Sequence, residues 1–460
     1  MYVIDDLLKK VKRVHMIGIG GSGMCPLAEI LHSEGYSLSG SDNNESDTLF
    51  RIRALGIPVA MGQRAENIGG AEMIVYTAAL LKDNPELVAA KASGIPTFER
   101  SKLFGAITRR YKNCFAVCGT HGKTTATSML AQIMLTAGLD PTCVIGGKLP
   151  LIGGNGRVGS SDAMVCEACE FADTFLDLSP ATSVFLNIDA DHLDYFKTVE
   201  NLIASFTKFA DLTRDRVIYN GDDERTLISL RGVTGKDMVS FGLGEGCDYR
   251  AVNIAVRDAF AEFDMTYRGE LLVRVRLGVP GRHNVYNAMA AFAAAHKNGV
   301  DAYAIADSLA EFRGAGRRFE ILGVRNGVTI ADDYAHHPKE IEVTLNAAKE
   351  MNYSRVWAVF QPFTFSRTAM LIDDFADALN IADKVVMTEI MGSREINTYG
   401  VKTEHLAEKI GKECVWYDTF EEVARHVVDH AESGDLVITL GCGDIYKAAK
   451  IMLKMYDEQS

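Results

Sequence analysis

Short apolar runs alternate with longer stretches carrying apolar residues at helical spacing, from one end of the chain to the other. VHMIGI (14–19), NCFAVC (113–118), MVCE (164–167) and SVFLNI (183–188) predict strands. Residues 24–33, and the stretch with Met129, Leu130, Ile133 and Met134 at helical spacing, predict helices. Strands and helices taking turns in this way predict an α/β protein with mostly parallel sheets. No uninterrupted apolar run approaches the ~20 residues of a membrane helix. The Ala-rich stretch 288–295 is bounded by Asn287 and His296, and residues 1–12 lack the apolar core of a signal peptide.

Three strand-to-helix turns are rich in glycine and far apart: GIGGSG from Gly18, GTHGKTT from Gly119 and LGCGDI from Leu440. Each is assigned to a different domain. The length of 460 residues fits about three domains at roughly 150 residues each. Boundaries are expected near 105–112, where TRRYKN precedes a new strand, and near RGAGRR at 313–318. The expected domains are therefore 1–108, 109–316 and 317–460. Lys plus Arg number 48 and Asp plus Glu 61, a net charge of −13, so nucleic acid is not the expected partner. An acidic chain still takes anionic ligands where backbone N–H groups converge. The nine Cys show no framework, which with no export signal predicts reduced thiols in the cytoplasm. Cys166 and Cys169 form a C-x-x-C without a second pair at zinc spacing, and are read as packing residues at a strand end.

Gly18, Gly20 and Gly23 give G-x-G-x-x-G, followed by a second strand ending at Asp42. Glycine lets the backbone approach a diphosphate, and the helix start offers unpaired N–H groups. The motif alone fits a dinucleotide or any other nucleotide diphosphate. In the second turn, Gly-Lys-Thr is intact, but the first Gly of the usual phosphate loop falls on Val117. Lys123 is placed to reach the β- and γ-phosphates, and the Thr124 hydroxyl to meet Mg²⁺. Two further strand ends carry Glu167 and the cluster Asp189, Asp191, His192 and Asp194. Ligands in open α/β sheets lie beyond the carboxyl ends of strands, so Glu167 and His192 are expected beside the same phosphates, with two Mg²⁺ ions.

With these residues assembled, the chain resembles the ATP-dependent Mur ligases of peptidoglycan synthesis. The resemblance rests on GTHGKTT (119–125), EACEFADTFL (167–176), NIDADHLDYF (187–196), GRHNVYNAMAA (281–291), GAGRRFE (314–320), DDYAHHP (332–338) and FQPFTFSRT (360–368), in family order. It implies an N-terminal Rossmann-like domain for a UDP-sugar and a central P-loop ATPase-like parallel sheet for ATP. A C-terminal Rossmann-like domain would close on the site and bind an amino acid. The implied reaction joins L-alanine to the lactyl carboxylate of UDP-N-acetylmuramate through an acyl phosphate. Gly20, Gly21, Gly23 and Asp42 would serve the UDP-sugar. Gly119, Thr120, Gly122, Lys123, Thr124 and Thr125 would hold the ATP phosphates. Thr124, Glu167 and His192 would hold metal. Asn284 and Asn287 would contact adenine, Arg318 the γ-phosphate, and Asp332 or Asp333 the ribose. Tyr334, His336 and Arg367 would line the alanine site, with His336 the candidate general base. Two departures stand out: Phe363 and Thr364 replace the His and Arg of the best-known members, and EACEF replaces EADES.

Three other readings compete. A dinucleotide-dependent oxidoreductase built on Gly18, Gly20, Gly23 and Asp42 leaves GTHGKTT, Glu167 and His192 without work. A sister ligase would add a preformed tripeptide to the same sugar nucleotide. A non-catalytic nucleotide sensor would keep the fold alone.

Overall fold

The computed structural model describes residues 3–459 except 394 and 412; the side chains of Asp194 and Gln459 also lie outside the described residues. Three sheets form. β1 (Arg13–Ile17), β2 (Ser37–Asp42), β3 (Val59–Met61), β4 (Met73–Tyr76) and β5 (Thr97–Glu99) make a parallel sheet in the order β3-β2-β1-β4-β5. As expected, β2 ends on Asp42 and the first Gly-rich turn leads into the helix Cys25–Ser33, which has Pro26 in its first turn.

The next ten strands make one sheet. They are β6 (Asn113–Cys118), β7 (Thr142–Leu149), β8 (Gly154–Arg157), β9 (Ala163–Glu167), β10 (Thr182–Phe185), β11 (Arg216–Asn220), β12 (Asp237–Gly242), β13 (Tyr249–Arg257), β14 (Phe260–Tyr267) and β15 (Glu270–Pro280). Their order is β15-β14-β13-β12-β11-β10-β6-β9-β7-β8. β6 lies between β9 and β10, both parallel to it, so the carboxyl ends of these three strands share one rim. β10 is shorter than the apolar run suggests. It stops at Phe185, and residues 187–189 turn over the phosphate loop instead.

The last sheet comprises β16 (Glu320–Arg325), β17 (Val328–Asp333), β18 (Val356–Phe360), β19 (Lys384–Thr388), β20 (Cys414–Tyr417) and β21 (Leu436–Leu440). Its order is β16-β17-β21-β18-β19-β20, parallel except for β16. Along β18, Ala358 and Phe360 pack into one core and Trp357 and Val359 into another, the period-two alternation of a strand covered on both faces.

By contacts the chain forms two compact units: Met1–Asn253, Phe263–Val275 and Tyr286–Phe312; and Ile254–Glu262, Arg276–Val285 and Arg313–Ser460. The first unit holds two of the sheets because their cores are continuous. Leu103, Phe104 and Ile107 of the helix Arg100–Thr108 cluster with Phe175 and Leu178 as well as with Val14 and Met16. Gly105 lies inside that helix, where a Cβ would collide with the Asp177 carbonyl. Its lack of a side chain lets the helix press against the central layer. No helix among the described residues is long and apolar enough to cross a membrane. All nine cysteines are free thiols. Cys166 is buried in β9 and Cys169 is exposed just beyond it.

Candidate active site

The first Gly-rich turn is tied down by Asp42. One carboxylate oxygen accepts from Gly20 N (2.9 Å), the other from Asn43 N (2.8 Å) and Asn44 N (3.1 Å). Gly18 sits at φ 79° and donates to Ser41 O, so the chain leaves β1 in a left-handed turn that favours glycine. The turn is also held from the central layer, where Asn155 Nδ2 donates to Ser22 O at 2.6 Å.

The phosphate loop is held from below by the residues after β10. His121 N donates to Asn187 Oδ1 (2.9 Å) while Asn187 Nδ2 donates to His121 O (3.1 Å). Thr120 N donates to Asn187 O, and Asp189 N donates to Thr120 Oγ1 at 2.8 Å. Gly122 is left-handed at φ 83° and abuts the side chain of Asn287, which a Cβ there would meet. Both Asn284 and Asn287 are buried, at 7% and 6% exposure, which excludes reading them as solvated helix amides. Asn284 Nδ2 donates to Pro280 O at 2.7 Å.

Lys123 opens the helix Lys123–Thr136. Its Nζ donates to Gly119 O (2.6 Å), Thr120 O (3.1 Å) and Glu170 Oε1 (3.1 Å), and lies 2.9 Å from Glu170 Oε2. Burial disfavours the ammonium, but the Glu170 carboxylate outweighs it and holds Lys123 protonated, above the usual lysine range. Glu170 was legible only as a letter in EACEF; its pairing with Lys123 spans 47 positions.

Glu167 ends β9 and accepts from Gly146 N at 2.6 Å. His192 has φ 55°, and its ring packs on Phe171 at 4.9 Å between centroids. Asp189 is engaged by Arg225 (2.9 Å) and faces His121 Nε2 at 3.8 Å. Among the described residues no three His, Cys, Asp or Glu side chains converge into a metal cage. A Thr hydroxyl, a carboxylate and an imidazole beside a phosphate loop instead fit Mg²⁺, which completes its shell with water and phosphate oxygens.

In the C-terminal unit, Asp332 accepts from Arg317 Nε (2.8 Å) and Thr439 Oγ1 (2.6 Å), while Asp333 accepts from Ala335 N and Phe319 N, both at 2.7 Å. Burial pushes Asp333 up to about 6 despite the nearby Arg318. Arg317 is sandwiched between Tyr334 (5.0 Å) and Tyr446 (4.8 Å) and donates to Gly441 O (2.6 Å), so it braces the third Gly-rich turn. Arg318 lies 5.3 Å over the Tyr334 ring. His336 Nδ1 is 3.1 Å from Tyr334 O and 3.2 Å from Glu340 Oε2, which favours the proton on Nδ1 and the lone pair on Nε2. Burial pushes the Cys442 thiol up to about 12 against the pull of the Arg367 and Arg317 charges. Tyr334, His336 and Arg318 thus lie together, joined by Arg317 and Glu340, whose parts the linear pattern did not reveal.

Each of the three sheets corresponds to one segment found by comparison. Residues 13–112 match a model described as Mur ligase family, catalytic domain; 117–295 match the Mur ligase middle domain; 317–443 match the Mur ligase glutamate ligase domain. A UDP-N-acetylmuramate–L-alanine ligase of Caldanaerobacter subterraneus is 42% identical over 97% of this chain and 98% of its own length. One from Lachnospira eligens is 44% identical over 99% and 100%. The crystal structure of a UDP-N-acetylmuramate–alanine ligase from Thermotoga maritima superposes with a TM-score of 0.85 at 29% identity, covering 97% of this chain and all of the other. A murein peptide ligase from Psychrobacter arcticus shares the fold, with a TM-score of 0.76 at 22% identity over 97% of this chain and 99% of its own. A phosphate loop carrying a half-buried lysine, two more Gly-rich turns, and likeness across all three sheets lead to one assignment: the chain belongs to the Mur ligase family.

Proposed function

We propose that the protein joins L-alanine to the lactyl carboxylate of UDP-N-acetylmuramate at the cost of ATP, in peptidoglycan precursor synthesis. The acceptor reading draws support from the end-to-end likeness to L-alanine ligases. The observation that carries the chemistry is Lys123, a protonated and half-enclosed ammonium at the mouth of a phosphate loop.

A carboxylate is a poor acyl donor. In the first step a lactyl oxygen bonds to the γ-phosphorus and the bond to the β-bridging oxygen breaks, leaving an acyl phosphate and ADP. Such a transfer needs positioning and charge neutralisation above all. In our reading the loop N–H groups of Gly119, Gly122, Thr124 and Thr125 cradle the phosphates, Thr120 shapes the loop through its bonds to Asn187 and Asp189, and Lys123 swings from Glu170 to the transferring group. Thr124, Glu167 and His192 would hold Mg²⁺, two ions in all, which when bound neutralise charge on the phosphates. Asn287 supports the loop at Gly122, and with Asn284 serves the adenine. Arg318 meets the γ-phosphate, while Asp332 and Asp333 position the two arginines near the ribose.

In the second step the alanine amine attacks the acyl carbon and phosphate leaves from the tetrahedral intermediate. The amine must be neutral, so a base takes its proton. His336 fits, because Tyr334 O and Glu340 hold Nδ1 and leave Nε2 as the acceptor. Arg367 pairs with the alanine carboxylate, and Tyr334 closes the pocket. The diphosphate of the sugar nucleotide lies on Gly20, Gly21 and Gly23, and Asp42 shapes that loop. Because the three backbone N–H groups of Gly20, Asn43 and Asn44 already occupy the Asp42 carboxylate, it is poorly placed for the ribose contact of an oxidoreductase. ATP and UDP-sugars place the reaction in the cytoplasm.

The test is phosphate release from ATP with UDP-N-acetylmuramate plus each amino acid in turn, and with the tripeptide. Release with alanine is expected. Release with the tripeptide alone transfers the chain to the sister activity.

A further inference from the structure

Arg100 begins the helix Arg100–Thr108, and nothing in its own surroundings explains it. It is half-buried, yet among the described residues its guanidinium has no hydrogen bond and no ion pair. A cation in the first turn of a helix faces the positive end of the helix dipole, so helix stability does not account for it either. A half-buried, unpaired charge is costly unless a ligand supplies its partner.

Its position indicates which ligand. A Cβ built on Gly23 would lie 3.1 Å from Arg100 Nη1, 3.2 Å from Cζ and 3.3 Å from Cδ. The guanidinium therefore lies along the last glycine of the first Gly-rich turn, where a Cβ would press on it. The same turn is capped by Asn155, 5% exposed, whose Nδ2 holds Ser22 O while its Oδ1 has no hydrogen-bond partner. An unpaired donor fork and a buried unpaired acceptor thus border one loop. Together they complement an anion carried on a group with O–H or N–H donors.

We propose that Arg100 is a substrate-binding residue that takes the diphosphate of the sugar nucleotide, its planar fork closing over oxygens that face the Ser22–Gly23 backbone from the other side. This rests on the UDP-sugar reading given above. The planar fork matters because two parallel N–H donors match a phosphate edge, which a lysine ammonium does not reproduce.

The experiment is calorimetric titration of the full-length protein with UDP, UDP-N-acetylglucosamine and UDP-N-acetylmuramate, for wild type, Arg100→Met and Arg100→Lys. Methionine keeps the apolar stem and removes the charge. Arg100→Met is expected to weaken all three ligands alike, on the order of 10- to 100-fold, with Arg100→Lys between. Binding of a non-hydrolysable ATP analogue should stay unchanged and the ligand-free melting temperature should not fall, whereas a merely structural role would lower it. Unchanged affinity for the UDP ligands overturns the proposal. So does a loss confined to UDP-N-acetylmuramate, because the guanidinium would then serve the lactyl carboxylate. Failure of the wild type itself to bind UDP-N-acetylmuramate overturns the UDP-sugar reading instead.

Discussion

The Lys123 ammonium and the Glu170 carboxylate form a close pair, 2.9 and 3.1 Å from Nζ to the two oxygens, with the side chains 15% and 2% exposed. The lysine that serves phosphate is thus stored on a carboxylate more deeply buried than itself. Lys123→Ala is expected to reduce turnover at least ~10²-fold, the scale of one preorganised electrostatic group. It should also destabilise the protein by about 3 kcal/mol, because Glu170 is left buried without its counter-ion. Adding Glu170→Gln should restore stability but not turnover. Phosphate release and denaturant unfolding of the two variants separate these effects. Stability that stays low in the double variant would mean the pair is not what Lys123 supports.

Gly122 sits at φ 83° with Asn287 against it, so Gly122→Ala meets both backbone strain and a side-chain collision. Strain of this kind costs on the order of 1–3 kcal/mol. Nucleotide affinity is expected to fall by roughly 5- to 150-fold, since 1.4 kcal/mol is tenfold. UDP-sugar affinity should be unaffected, because the other Gly-rich turn is held by Asp42. Titration with an ATP analogue and with UDP reads both. Equal losses would point to global distortion.

What the chain revealed in advance was local. Gly18, Gly119 and Gly441 mark strand-to-helix turns because a left-handed or close-packed backbone must be glycine, and that is visible in a few adjacent letters. Asp42 and Glu167 were placed at strand ends because the apolar runs stop there. What stayed hidden was distant in sequence. The Lys123–Glu170 pair, Arg100 beside Gly23, and Arg317 between Tyr334 and Tyr446 depend on which elements the topology brings together, and period and spacing carry no such information.

Asp333 carries a stability signature in its pH dependence. Burial raises its folded value to about 6 from an ordinary 3.8, so between these values the folded state binds the extra proton. Stability from this group is therefore fully present below about pH 4 and is lost as pH rises through about 6. Between pH 5 and pH 8 the loss is roughly 1.4 kcal/mol. Asp333→Asn lacks the titration, so its unfolding free energy should fall less over that range by this amount. Denaturant unfolding of both proteins at the two pH values gives the difference. Parallel pH profiles would show that Asp333 does not titrate there.

Thr364 adopts φ 65° and ψ 142°, a conformation that a β-branched residue rarely takes. Its backbone N–H bonds Met391 O, and its carbonyl accepts from Thr368 Oγ1 at 2.7 Å, so the neighbouring strand rim and the helix Phe365–Met370 fix it from both sides. Backbone strain held in this way tends to accompany function. Here the helix it launches carries Arg367, the guanidinium assigned to the alanine carboxylate. Thr364→Gly should relieve the strain and stabilise the protein by about 1 kcal/mol. If the strained turn aims Arg367, the same change raises KM for alanine several-fold while KM for ATP stays constant. A variant that is more stable with an unchanged KM for alanine would separate the strain from the acceptor site and leave Arg367 positioned by its helix alone.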